Sequence, residues 1–402
     1  MKNLQRLFYL LFVGTVMVSC SSDDDGIGTD PDPSDFSKTY QLGSVEDPDI
    51  SGIVIFTKNS DNSITADINL DGTPSDGVHP AHVHFNTAAE SGDIAITLGT
   101  VDGATGLSST TFTSLDDGTP ISYEELIQFD GYVNVHLSST VLDVIVAQGD
   151  IGQNELTGDS KVFDLGERDV AGISGTATFE ERVNGEALAT LQLENTPDGG
   201  MHPAHIHMNT AAEGGDIAFT FNPVDGTTGM SKTNVAELDD NSSFNYASVL
   251  EVDGYINVHL SADDLATIVA QGDIGQNELT GEIVTYDLMT VDVPGIDGIA
   301  TFEERVNGTT LVTIALVGTV AGDEHPAHIH ENDAQTGGDI IIGLNPVDGE
   351  TGMSMTQVGT LDAGTAITYS EMLTIDGYIN VHLSADELTT IVAQGDVGAN
   401  AL

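Results

Sequence analysis

A block of 123 residues recurs three times in this chain, and that period limits what the chain can fold into. His79-Pro80-Ala81-His82-Val83-His84 returns as His202-Pro203-Ala204-His205-Ile206-His207 and again as His325-Pro326-Ala327-His328-Ile329-His330. Asn134-Val135-His136-Leu137 returns at 257 and 380, and Ala147-Gln148-Gly149-Asp150 returns at 270 and 393, always 123 residues on. A period of this length can bury a core of its own, so the copies are expected to be tandem domains rather than turns of a solenoid. Lys38-Thr39-Tyr40-Gln41-Leu42 matches Lys161-Val162-Phe163-Asp164-Leu165 and Val284-Thr285-Tyr286-Asp287-Leu288, which places a strand at the start of each copy. The units are therefore drawn at 38–160, 161–283 and 284–402.

Charge and composition narrow the function. With 64 acidic against 9 basic residues the net charge is -55, which repels phosphate backbones and excludes nucleic-acid binding through a basic patch. Hydrophobic residues make up 39% of the chain, enough for packed cores and too many for a disordered polyanion. Cys20 is the single cysteine, so disulfide frameworks, thiolate-rich zinc sites and iron–sulfur clusters are excluded. Ser63 to Leu70 and Asp93 to Leu98 alternate with the period of two of a half-buried strand, and Gly and Asp clusters punctuate the runs. Ser122-x-x-Glu125 and Thr368-x-x-Glu371 have the form of capping boxes; Ser261-x-x-Asp264 and Ser384-x-x-Glu387 suggest a second helix, leading into Leu265–Ala270 and Leu388–Ala393. The expected fold class is all-β: three tandem Greek-key or Ig-like β-sandwich domains with short helical insertions.

The N-terminus reads as an address. Lys2 and Arg6 precede an apolar run from Leu7 to Val18, the layout of a secretory signal and too short for a membrane span. Met17-Val18-Ser19-Cys20 resembles a bacterial lipobox, with Met17 where Leu is usual, and Ser21-Ser22-Asp23-Asp24-Asp25 resembles the acidic signal of surface-exposed bacterial lipoproteins. The resemblance implies a signal peptide over 1–19, lipidation of Cys20, and anchorage at the cell surface on the outer membrane. Residues 20–37, rich in Asp, Ser, Pro and Gly, read as a flexible acidic tether.

The twelve histidines carry the chemistry. They sit at 79, 82, 84 and 136, at 202, 205, 207 and 259, and at 325, 328, 330 and 382, and nowhere else. His82 and His84 are i and i+2 on a strand and share a face; Tyr132, Asn134 and His136 share a face of another. If those strands are neighbours, His82, His84 and His136 converge, with His79 a possible fourth ligand from before Pro80. The same set recurs as His202, His205, His207 and His259 and as His325, His328, His330 and His382. Imidazoles without thiolates suit copper or zinc, whereas calcium and magnesium want oxygen ligands. Tyr132, Asn134, Tyr255, Asn257, Tyr378 and Asn380 are candidates for orienting a ligand ring. The alternative is a structural polar row hydrogen-bonded across the sheet.

Ala-His-[Val/Ile]-His, a Gly-Asp-Ile strand and Gly-Tyr-[Val/Ile]-Asn-Val-His together resemble the chordin-type (CHRD) domain, three times over. That resemblance implies an extracellular β-sandwich module without an agreed catalytic activity, and it carries to His82, His84 and His136 and their counterparts. The chain departs from the family between Ser261 and Gly275, where a helix is expected before Asn277-Glu278-Leu279-Thr280-Gly281. The strand-borne His-x-His is also similar to a ligand pair of copper/zinc superoxide dismutases, a match two residues wide that lacks the rest of that family's ligand set. Two functions stand as expectations: transition-metal binding in each unit, and a non-enzymatic adhesion or recognition module that meets an unknown extracellular ligand or protein by avidity.

Overall fold

In the computed structural model, residues 36–46 and 48–401 are described. The expected signal peptide, Cys20 and nearly all of the tether lie outside them. The chain is all-β, with one short helix in each unit.

In unit 1 the strands are β1 (Ser37–Ser44), β2 (Ser51–Lys58), β3 (Ile64–Asp71), β4 (Val78–Phe85), β5 (Ile94–Asp102), β6 (Leu107–Phe112), β7 (Asp130–Ser138) and β8 (Val141–Gly152). They close into a barrel in the order β1-β2-β3-β6-β5-β4-β7-β8. The expected pair of facing sheets is thus replaced in unit 1 by a single ring. Closure needs β1 against β8, which meet at Gly43–Gln148 and Ser44–Ala147. A Cβ on Gly149 would lie 2.0 Å from the Gln41 carbonyl oxygen, so only glycine admits this approach. Units 2 and 3 repeat the same pairing order as sheets of ten and eight strands. In unit 2 the strand that matches β5 is split into Ile217–Thr220 and Val224–Asp225.

The alternation of each strand sorts its residues between the barrel interior and its outer face. Phe56, Ile68, Ala81, Val83, Val133 and Val135 fill the interior of unit 1 and are essentially fully buried. Phe179, Leu191, Ala204, Ile206, Ile256 and Val258 do so in unit 2. Each large apolar side chain so buried contributes about 1.5–3 kcal/mol. Three independent cores show why one unit of this length suffices for a hydrophobic interior.

The first expected helix forms. Ser122 caps α1 (Tyr123–Leu126) with a complete capping box to Glu125, and Asn245 caps α2 (Tyr246–Glu251). Thr368 and Glu371 repeat the box at α3 (Tyr369–Met372). The second expected helix does not form. Asp264–Gly275 is a strand, turned back on Asp253–Ser261 through a tight connection at Ser261–Asp264. The Ser261 hydroxyl does accept the Asp264 N–H (3.1 Å), but it closes a hairpin, and the β-branched run Thr267-Ile268-Val269 continues as strand. In unit 3, Ser384 to Thr390 forms turns and the strand begins at Ile391. The chain therefore has no helical insertion between Ser261 and Gly275.

Units join head to tail. The strands β9 (Leu156–Glu167), β10 (Ser174–Arg182) and β11 (Ala187–Glu194) open unit 2, and β9 runs straight through the expected boundary at 160/161. Arg182, with no exposed surface, ends β10 and reaches back into unit 1, where its Nη1 donates to Asp150 Oδ2 (2.7 Å) and to the Asn154 carbonyl (2.5 Å). Arg305 does the same to Asp273 (2.7 Å) and the Asn277 carbonyl. Unit 1 has Asn59 at the matching turn, and its side chain is satisfied locally by Ser63 and Thr65.

Candidate metal centre

The histidines that the sequence placed on one face are brought together. His82 and His84 stand on β4 and His136 on β7, directly hydrogen-bonded neighbours with Ala81 opposite Val135 and His84 opposite Tyr132. Because Ala81, Val83, Val133 and Val135 take the interior, the three imidazoles project from the outer wall of the barrel. They remain sheltered there, each at most 9% exposed. Ring centroids lie 5.0 Å apart for His82–His136, 5.8 Å for His82–His84 and 6.2 Å for His84–His136. In each unit one nitrogen per ring falls within 4.8 Å of the others: His82, His84 and His136; His205, His207 and His259; His328, His330 and His382.

Hydrogen bonds fix which nitrogen faces inward. His84 Nδ1 lies 2.9 Å from the Gly92 carbonyl and His136 Nδ1 2.6 Å from that of Leu142. A carbonyl only accepts, so both rings carry their proton on Nδ1 and offer a lone pair at Nε2. Those two Nε2 atoms and His82 Nδ1 are buried without a hydrogen-bond partner. Buried polar atoms are ordinarily satisfied, so three orphan nitrogens aimed at one another describe a donor set lacking its acceptor. His207 with Gly215, His330 with Gly338, His259 with Leu265 and His382 with Leu388 repeat the pattern.

The electrostatics favour the neutral ring at two positions of each triad. Burial, then the neighbouring His136 and His84, push the His82 pKa from 6.5 down to about 4, against a smaller opposing pull from Asp116. Burial likewise lowers His136, His205, His259, His328 and His382. Neutral imidazole is the form that ligates a metal. Asp116 is spent on the backbone N–H and hydroxyl of Thr97, and no carboxylate joins the triads among the described residues. Three imidazoles could hold a metal ion and would leave coordination positions for water or a ligand.

The supporting residues divide. Tyr132 stacks on His84 at 5.0 Å and 18°, as Tyr255 does on His207 (5.0 Å) and Tyr378 on His330 (5.1 Å). Asn134, expected to orient a ring, accepts instead from Gln148 Nε2 (2.8 Å); Asn257 and Asn380 accept from Gln271 and Gln394. His79 is not in the triad. It follows the interior alternation of Ala81 and Val83, is fully buried, and its Nδ1 lies 3.2 Å from the His136 carbonyl. His202 and His325 make the same contact to the carbonyls of His259 and His382. These residues brace the strand that carries the third imidazole.

Sequence reasoning missed the carbonyls of Gly92 and Leu142 and the roles within Ala147-Gln148-Gly149-Asp150. Gln148 holds Asn134, Gly149 permits barrel closure, and Asp150 takes Arg182. The repetition of that tetrapeptide was the available signal. Searched against models of known protein families, curated proteins and solved structures, the chain matches none.

Proposed function

We propose that each unit is a transition-metal-binding module, and that the chain is a three-site copper- or zinc-binding protein. The observation that carries this is the threefold recurrence of a sheltered imidazole triad, its inward nitrogens all orphaned in units 1 and 3, and in unit 2 orphaned at His207 and otherwise paired only with each other. A structural polar row would spend those nitrogens on carbonyls, as the Nδ1 atoms are spent; the Nε2 atoms of His84 and His136 have no such partner. That contrast favours ligation over the adhesion reading with structural histidines. Binding or sequestration needs no further groups.

The CHRD-like motifs around each HxH and each Asn-Val-His support an extracellular setting. The lipobox-like Met17-Val18-Ser19-Cys20 supports a lipid anchor in the outer membrane with the barrels held outside the cell. Copper(II) titration of residues 38–402, followed by electron paramagnetic resonance, tests the metal reading. Imidazole nitrogen hyperfine structure at all three sites is expected, and its loss from one site in His82→Ala/His84→Ala. A spectrum of free copper alone would overturn it.

A further inference from the structure

We propose that Arg182 and Arg305 are positioning residues for the histidine triad of the preceding unit, so that metal binding at sites 1 and 2 is coupled to closure of the inter-unit junctions. This rests on the metal-binding reading.

The link runs through the loop 86–92, which leaves β4 just after His84. Gly92 at its far end supplies the carbonyl that fixes the His84 tautomer (2.9 Å). Asp150 holds the loop near its start, its Oδ1 accepting the Ala88 N–H (2.8 Å), and Asn154 Nδ2 donates to the Asn86 carbonyl (3.1 Å). Both of these anchors are what Arg182 grips: Asp150 through its other oxygen and Asn154 through its carbonyl. Unit 2 also touches the loop directly, Asn222 Nδ2 donating to the Ala89 carbonyl (3.3 Å). Asp150 further stands opposite Tyr132, the ring stacked on His84. An aspartate shared between a buried guanidinium and a loop N–H has little freedom, and neither has the loop it anchors.

The second junction repeats every element. Arg305 grips Asp273 and Asn277, which hold Ala211 and the Asn209 carbonyl, and Gly215 fixes His207. In unit 3 the anchors persist, Asp396 to Ala334 and Asn400 to Asn332, with Gly338 on His330, but among the described residues no arginine reaches Asp396. The arrangement is therefore one unit's arginine acting on its predecessor's site. By linkage, a metal that favours the ordered loop also favours the closed junction, to the same degree.

The experiment uses the full chain carrying either Arg182→Lys or Arg305→Lys, with two of the three triads removed by His→Ala so that one site is read at a time. A lysine keeps the charge and loses the planar guanidinium, whose Nε on Asn234 sets the Nη1 that reaches both Asp150 and the Asn154 carbonyl. Copper affinity is read by chelator competition, and amide exchange is followed over 86–92 and 209–215. Arg182→Lys is expected to weaken site 1 about 10-fold or more, the usual effect of disturbing a ligand's outer partners, with site 2 unchanged. Arg305→Lys is expected to do the reverse, weakening site 2 alone. A change at all sites together marks global destabilisation and overturns the proposal, as does an affinity within twofold of the parent. If Arg182→Lys does not fold, Asn222→Ala, on the surface, is expected to loosen 86–92 and weaken site 1. Should the parent chain retain no copper, the metal reading fails by itself; unchanged exchange over 86–92 in Arg182→Lys would then also sink the mechanical link.

Discussion

His259 Nε2 lies 3.1 Å from His205 Nδ1, two ring nitrogens of unit 2 facing each other inside a buried site. His259 keeps its proton on Nδ1, where the Leu265 carbonyl takes it (2.7 Å). Its Nε2 is therefore a lone pair, and His205 must present an Nδ1–H to it. Moving that proton to the other nitrogen of His205 turns a hydrogen-bonded pair into two metal donors, without moving either strand. A bound ion would thus displace one hydrogen bond and satisfy His207 Nε2, which the fold otherwise leaves unmet.

The triad and its neighbours are separable by mutation. His84→Ala or His136→Ala is expected to remove one of three metal equivalents, because each deletes one donor of a three-ligand set. His79→Ala is expected to keep all three and to lower stability instead, since His79 braces the His136 carbonyl from the interior side. Metal content and a denaturant midpoint on each variant check both halves.

Acid should destabilise the metal-free protein in a defined window. The His82 pKa is lowered from 6.5 to about 4 in the fold, so the neutral ring is favoured by folding. Above the unfolded value both states are neutral and stability is at its plateau. As pH falls below 6.5 the unfolded chain takes up protons that the native site refuses, and stability drops until His82 itself titrates near 4. His205 and His328 are shifted the same way by the same burial. Thermal melts across this range are expected to slope downward towards acid, and less steeply in a variant with His82, His205 and His328 replaced by Gln.

Arg182→Ala is expected to cost about 3 kcal/mol, the usual consequence of leaving one member of a buried pair uncompensated. Asp150 is only 13% exposed and would lose its guanidinium, and a cavity would open at a side chain with no exposed surface. Urea unfolding measures it; a change below about 1 kcal/mol would mean that the junction contributes little.

Barrel closure rests on Gly149. Gly149→Ala puts a methyl 2.0 Å from the Gln41 carbonyl oxygen and is expected to cost about 2–3 kcal/mol by prising β1 from β8. Gly43→Ala, whose methyl would meet nothing nearer than 3.9 Å, is expected to stay within about 0.5 kcal/mol. The pair separates steric closure from the general effect of replacing glycine.

Much of this was legible in the sequence, and the misses have physical causes. Periodicity of two placed His82 and His84 on one face of a strand, and His136 with Tyr132 and Asn134 on one face of another, because side-chain direction in a strand is local information; that the two strands are neighbours is not. Whether β1 meets β8, making a ring of what was expected to be a sandwich, depends on backbone approach at Gly149, which no periodicity reports. Ser261-x-x-Asp264 looked like a helix cap because the same side-chain-to-N–H hydrogen bond closes a hairpin, and only the strand pairing of Ile268 and Ala270 decides between them. His79 shared the motif of the ligands but fell on the opposite parity, which Pro80 obscured. The burial of Arg182 depends on a neighbouring unit that local patterns do not describe.

The most direct test is the metal content of residues 38–402, untagged, by mass spectrometry after loading with copper or zinc and desalting. The account predicts three equivalents per chain, one for each triad, and two in His82→Ala/His84→Ala. A folded chain that emerges without bound metal would contradict it.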